Sequence, residues 1–416
     1  MKTATLTNGI RTVIEKVPFF HSVSAGIWVK AGSRYETPEE NGISHFIEHM
    51  LFKGTSAKDA RCIAATIDNI GGTLNAFTAK ECTCFYVHVA DEHLDTGLEL
   101  LADMLKNSLL DPYELKKEQG VVLEEISMVE DTPDDLVHEL AASGYYGSAS
   151  LGQTILGPRE RVSAFCRDDL RRYMEKRYVT GNIVLSVAGN LDEEKTLDML
   201  EKYFASGIPV APESPDIPAE TGENTKKCVF CEKNNEQMNM CLTYGGPGSL
   251  DADFYPLTVF NAAFGGSMSS RLFQTVREQN GLTYSIFSYA STYNDCGTYS
   301  VYAGMNPEQT KRVLELVNKE IQLALTSPVS GEELFNAREQ IKGSLILGSE
   351  GARPVMSRNG KLLLLRGRTE TVEEVIDHVN GVTARAVEQA VKNVFSSRHC
   401  CAFVGKSEYF PDETAL

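Results

Sequence analysis

No stretch of eighteen or more apolar residues occurs in these 416 residues, so no segment reads as a membrane-spanning helix. The opening MKTATLTNGIRTVIEK lacks an apolar core and a small-residue cleavage site, so it is not read as a secretory signal, and the chain is expected in the cytoplasm. Basic residues are in deficit. Forty Lys and Arg face 57 Asp and Glu, a formal net charge of −17. That balance argues against nucleic acid or an anionic membrane surface as a partner and favours basic ligands. The paired CxxC…CxxC spacing of a structural zinc site is also missing. Ten cysteines include the CVFC of Cys228 and Cys231, a strand-like Cys82 and Cys84, and adjacent Cys400 and Cys401. They read as reduced, mostly buried, small apolar residues.

What is present is an ordinary globular composition, 42% apolar and 23% charged. The length suggests two domains of about 200 residues each. The stretch 207–227, GIPVAPESPDIPAETGENTKK, holds four prolines and little apolar periodicity, and reads as a linker between a domain 1–206 and a domain 228–416. The halves share a pattern. DDLRRYMEKRYVTGNIVLSVAGNLD and TARAVEQAVKNVFSSRHCCAFVGKS each read as an amphipathic helix, a turn and a buried strand. Earlier in each half, a Gly-containing turn precedes two strands and a helix. CTCFYVHV and TYSVYAG alternate with the period of half-buried strands. The predicted class is α+β: two similar domains, each a mainly antiparallel sheet with helices packed on one face, from an internal duplication.

Residues 44–53, SHFIEHMLFK, carry the chemistry. On a helix, His45 and His49 differ by about 40° around the axis, so both imidazoles can reach one ion. Glu48 lies on the adjoining flank, beside that ion without having to be its ligand. HxxEH is the inverted zincin pattern. Zinc catalysis needs protein ligands, an open position, and a base for the attacking water. Further on, ELKKEQGVVLEEISMVE reads as a helix with Glu118 and Glu125 two turns apart on one face. They can serve as a ligand and as its support; a solvated acidic face is the plain alternative. Gly120 interrupts this helix at a cost of roughly 1 kcal/mol against alanine.

GISHFIEHMLFKGT, with Glu125 lying 76 residues after His49 and Glu118 seven before Glu125, resembles the pitrilysin/insulinase family of zinc metallopeptidases. The likeness is strongest to short chains such as the mitochondrial processing peptidase and its bacterial relatives. The resemblance covers essentially the whole chain. It implies one zinc per chain held by His45, His49 and Glu125, with Glu48 as general base and Glu118 as a supporting carboxylate. GGTLNAFTAKECTCFYVHV resembles the family's substrate-binding edge strand, with Asn75, Ala76 and Phe77 offering backbone hydrogen bonds to an extended peptide. The second half has no HxxEH. Its Arg277 and Tyr284, seven apart, match a family pair that contacts substrate or a developing oxyanion. The implied activity is endopeptidase cleavage of unfolded peptides or presequence-like segments, basic ones preferred given the acidic balance. A homodimer, or a heterodimer with a related chain, would complete the chamber, and Arg277 and Tyr284 would then act in trans. A non-catalytic subunit of the same fold and a structural-zinc binding module are the competing readings.

Overall fold

The computed structural model describes residues 1–218, 222–327 and 329–412. Residues 219–221 of the expected linker, and 328 and 413–416 of the expected second domain, lie outside the described residues. The chain forms two compact units, each built on one sheet. No helix among the described residues is long and apolar enough to cross a membrane.

The first sheet has six strands: β1 (Lys2–Thr5), β2 (Arg11–Lys16), β3 (Ser22–Val29), β4 (Thr73–Thr78), β5 (Thr83–Ala90) and β6 (Ile183–Gly189). Their spatial order is β1-β2-β6-β3-β5-β4. Only the β2–β6 pair is parallel. The second sheet has five: β7 (Cys228–Glu232), β8 (Met238–Gly246), β9 (Thr283–Thr292), β10 (Gly297–Met305) and β11 (His399–Gly405). Their order is β7-β11-β8-β10-β9, with only β7–β11 parallel. With β1 set aside, the two sheets have one topology, strand for strand and direction for direction. The duplication read from the order of elements is a duplication of fold.

Each sheet packs helices from its own half of the chain on one face, over a large apolar core. The other face is covered by a helix from the opposite half. In the first unit this is Ala352–Arg366, which buries Val355, Met356, Leu363 and Leu364 against Val13, Trp28, Cys84 and Val184. In the second it is Pro133–Tyr146, which buries Val137 and Ala141 against Cys241, Tyr302, Ala402 and Val404. Both units are therefore discontinuous in sequence: 1–126, 153–217 and 347–370 form one, and 127–152, 218–346 and 371–416 the other. The alternation expected of half-buried strands is lost for the same reason. Residues 83–87 of β5 and all of β10 are buried, because helices cover both of their faces.

The proline-rich stretch is tied down where it belongs to the first unit. Lys30 Nζ meets Glu213 and Asp216, each at 2.7 Å, and Arg34 donates to the Ile217 carbonyl at 2.7 Å.

Candidate metal centre

The helix Ile43–Leu51 forms because its apolar residues fall at Ile43, Phe46, Ile47, Met50 and Leu51, one stripe at helical spacing, all buried. His45, Glu48 and His49 are left on the opposite margin, where the helix meets the edge of the sheet. Its first turn is held from outside. Glu36, itself buried, accepts from the backbone N–H of Gly42 (2.8 Å) and of Ser44 (2.9 Å), groups a helix start otherwise leaves unpaired. Gly42 sits at φ 95°, and a Cβ there would lie 2.5 Å from the Leu156 carbonyl oxygen. Glycine is required on both counts.

The helix Pro112–Asp131 supplies the other carboxylates. Asp111 caps it, accepting from the N–H groups of Tyr113 and Glu114, with Pro112 opening the first turn. Gln119 fixes its position by donating to the carbonyls of Val162, Ser163 and Phe165. Gly120 is accommodated without a break.

These two helices bring His45, His49 and Glu125 together, with one donor atom of each within 4.8 Å of the others. Glu125 Oε2 is 3.7 Å from His45 Nε2 and 3.6 Å from His49 Nε2. A tetrahedral zinc with bonds of about 2.0–2.2 Å separates its ligand atoms by about 3.3–3.6 Å, so the spacing and the N,N,O donor set fit that ion. The tautomers fit as well. Glu118 Oε1 lies 2.8 Å from His49 Nδ1. An ionised carboxylate only accepts, so Nδ1 carries a proton and, in the neutral ring, Nε2 presents its lone pair. Burial, and to a lesser degree His49, push the His45 imidazole down to about 4, so it is neutral at physiological pH. Burial also works against charge on His49, but the Glu118 hydrogen bond and the carboxylates of Glu125, Glu118 and Glu48 outweigh it and raise that imidazole. Burial opposes the charge of Glu118 likewise; the hydrogen bonds from His49 and Lys53 prevail and hold it below the usual carboxylate range.

Glu48 does not join the donor cluster. Its Oε2 accepts from Thr78 Oγ1 at 2.6 Å. Burial raises its carboxyl above the usual value, against the pull of that hydrogen bond. Thr78 is the last residue of β4, and β4 is the outermost strand of its sheet. Asn75, Ala76 and Phe77 therefore lie on a strand paired on one side only, through the register Thr73↔His88 to Thr78↔Thr83. Asn75 Oδ1 accepts the Ala76 N–H at 2.8 Å, and the Phe77 ring stands edge-on to Trp28 at 5.6 Å.

Arg277 and Tyr284 belong to the second unit. Arg277 sits in a π-helical turn, Phe273–Glu278, and Tyr284 on β9, the outermost strand there. The guanidinium lies 4.6 Å from the Phe273 ring centre and 5.3 Å from that of Tyr284, whose phenol is 80% exposed. The two residues meet each other.

Three contributors to the centre are not among the residues singled out in the sequence. Lys53 left a trace, being one turn beyond His49. Thr78 left none, because its contact joins segments whose apposition only the fold creates, and Glu36 acts locally, six and eight residues before the N–H groups it holds, in a loop with no helical pattern of its own.

Comparison with known proteins identifies the family. The model of the insulinase family, peptidase family M16, matches residues 11–159, and that of the peptidase M16 inactive domain matches 164–341. An uncharacterized zinc protease of Bacillus subtilis, YmxG, is 44% identical over 99% of this chain and 100% of its own length. One of Streptomyces coelicolor is 37% identical over 97% of this chain and 89% of its own. Among solved structures, a protease from Helicobacter pylori has a TM-score of 0.91 at 19% identity, over 97% of this chain and 99% of that one. A structure described as the peptidase M16 inactive domain from Pseudomonas fluorescens has a TM-score of 0.90 at 18% identity, over 98% of each chain. These two show the fold; the sequence matches, running through both halves and through the residues that gather around Glu125, show that the chain belongs to the insulinase family of peptidases, M16.

Proposed function

We propose that this chain is a zinc metalloendopeptidase that cleaves unfolded peptides bound as an added strand along β4. The observation that carries this reading is the join between base and strand: Glu48 is hydrogen-bonded to Thr78 at the end of β4, beside the cluster of His45, His49 and Glu125. A peptide paired to a free strand edge is held through its backbone, whatever its side chains, and its carbonyls then run past that cluster.

Zinc bound by His45, His49 and Glu125 would supply a Lewis acid for the scissile carbonyl and lower the pKa of the attacking water. Glu48 takes the proton of that water and returns it to the leaving amine. Its raised carboxyl suits both halves of the task, since a base whose pKa is closer to the working pH both accepts and releases a proton more readily. Asn75, Ala76 and Phe77 orient the peptide. Arg277 and Tyr284, already in contact with each other, are assigned to substrate or to the developing oxyanion.

The test is zinc analysis combined with cleavage of a quenched unfolded peptide. Wild type is expected to carry zinc and cleave. Glu48→Gln is expected to keep the zinc and lose kcat by about 100-fold to 10,000-fold. A wild type that holds zinc and cleaves no peptide would support the non-catalytic readings instead. The same assay on Arg277→Ala and Tyr284→Phe reads their contribution as a drop in kcat/KM.

A further inference from the structure

Lys53 has no part in the chemistry above, yet it touches the metal-side network. It follows the helix Ile43–Leu51 by two residues and His49 by four. Its Nζ is 2.6 Å from Glu118 Oε2, while Glu118 Oε1 serves His49 Nδ1 at 2.8 Å. Each oxygen of this buried carboxylate has its own donor. His45 differs: among the described residues its buried Nδ1 has no hydrogen-bond partner. One imidazole of the pair is thus oriented from behind by a carboxylate that an ammonium anchors. The other has no such support behind it among the described residues.

Two consequences follow from charge and geometry. A carboxylate with one donor turns about its own bond, and the imidazole it holds turns with it; a second donor on the other oxygen removes that freedom. Glu118 also shares a helix face with Glu125 and would compete for the same cation. It stands outside the donor cluster, with its second oxygen held by Lys53.

We propose that Lys53 is a positioning residue of the metal centre: it pins Glu118 behind His49, so that His49 Nε2 faces the ion. The inference rests on the zinc reading above and concerns zinc retention, not turnover.

Wild type, Lys53→Met, Lys53→Arg, Glu118→Gln and the double variant Lys53→Met/Glu118→Gln are dialysed against graded chelator, and zinc is measured by atomic absorption. Lys53→Met is expected to release zinc at about tenfold lower chelator than wild type, in line with the loss of an outer partner. Lys53→Arg is expected to stay near wild type. The double variant is expected to retain zinc as Glu118→Gln does, because both changes break one chain of contacts. Thermal melts of the metal-free proteins are expected to coincide. Wild-type retention in Lys53→Met overturns the proposal. So do additive losses in the double variant, a loss in Lys53→Arg equal to that in Lys53→Met, or a metal-free melt showing that Lys53→Met is misfolded. A wild type that takes up no zinc overturns the zinc reading itself, which separates the two failures.

Discussion

Thr78 and Glu48 are thirty residues apart in sequence and share one 2.6 Å hydrogen bond. The bond favours the ionised carboxylate, so it opposes the burial that raises Glu48. The proposed reaction needs Glu48 ionised to begin, so activity is expected to fall as pH drops through the Glu48 pKa. Thr78→Val removes the opposing bond and leaves burial unchecked. The acid limb of kcat/KM is expected to move upward by about one pH unit, with the activity at high pH largely kept. Thr78→Ser restores the donor and should restore the profile. Superimposable profiles for wild type and Thr78→Val would sink this account. At this scale the sequence was informative where chemistry and spacing coincide. HFIEH announces the two histidines, because ligand types at helical spacing are rare by accident, whereas Glu125 is legible only through the family resemblance that carries the 76-residue step. Thr78 is an ordinary residue whose importance comes only from what the fold sets against it, and Lys53 and Glu36 leave at most a local trace beside HFIEH.

Two helical glycines show how an element's surroundings decide the sign of one substitution. Gly120 lies in Pro112–Asp131 with open space where a Cβ would go. Gly360 lies in Ala352–Arg366 against Trp28, where a Cβ would sit 2.2 Å from the indole Nε1 and 2.4 Å from Cδ1. Gly120→Ala is expected to stabilise by about 0.5–1 kcal/mol through helix propensity alone. Gly360→Ala gains the same propensity but must push the helix off its sheet, and a net loss of about 1–3 kcal/mol is expected. Urea melts of both variants check the pair, and equal signs would contradict it. The sequence reveals the first case, since the apolar periodicity on either side of Gly120 identifies a helix that glycine can only weaken. It does not reveal the second. Val355, Met356, Leu363 and Leu364 make an apolar face in ARPVMSRNGKLLLLR, yet such a face fits any sheet surface, and nothing in its pattern names the one that carries Trp28.

At the scale of the whole chain, the same ambiguity hides how the two units are put together. The repeat of elements is legible because order and spacing survive divergence. The exchange of one helix between the halves is not, because it changes neither the order nor the period of any segment. It does set a condition on folding. Residues 1–217 contain every strand of the first sheet. Without 347–370 they leave Val13, Trp28, Cys84, Val184 and Ala188 uncovered on one face. Exposed apolar area of that kind costs about 25 cal/mol per Å² and invites association. Trp28 is the chain's single tryptophan, 1% exposed, and its indole N–H donates to Met356 Sδ at 3.4 Å. It therefore reports directly on whether the helix is in place. The fragment 1–217 is expected to show a red-shifted tryptophan emission, to bind a hydrophobic dye, and to lack a cooperative melt. Joining 347–370 to it through a flexible glycine–serine linker long enough to reach across the sheet is expected to return the emission to the blue and restore a single transition. A fragment 1–217 that already emits in the blue and melts as sharply as the joined form would show that the first sheet is complete without its borrowed helix.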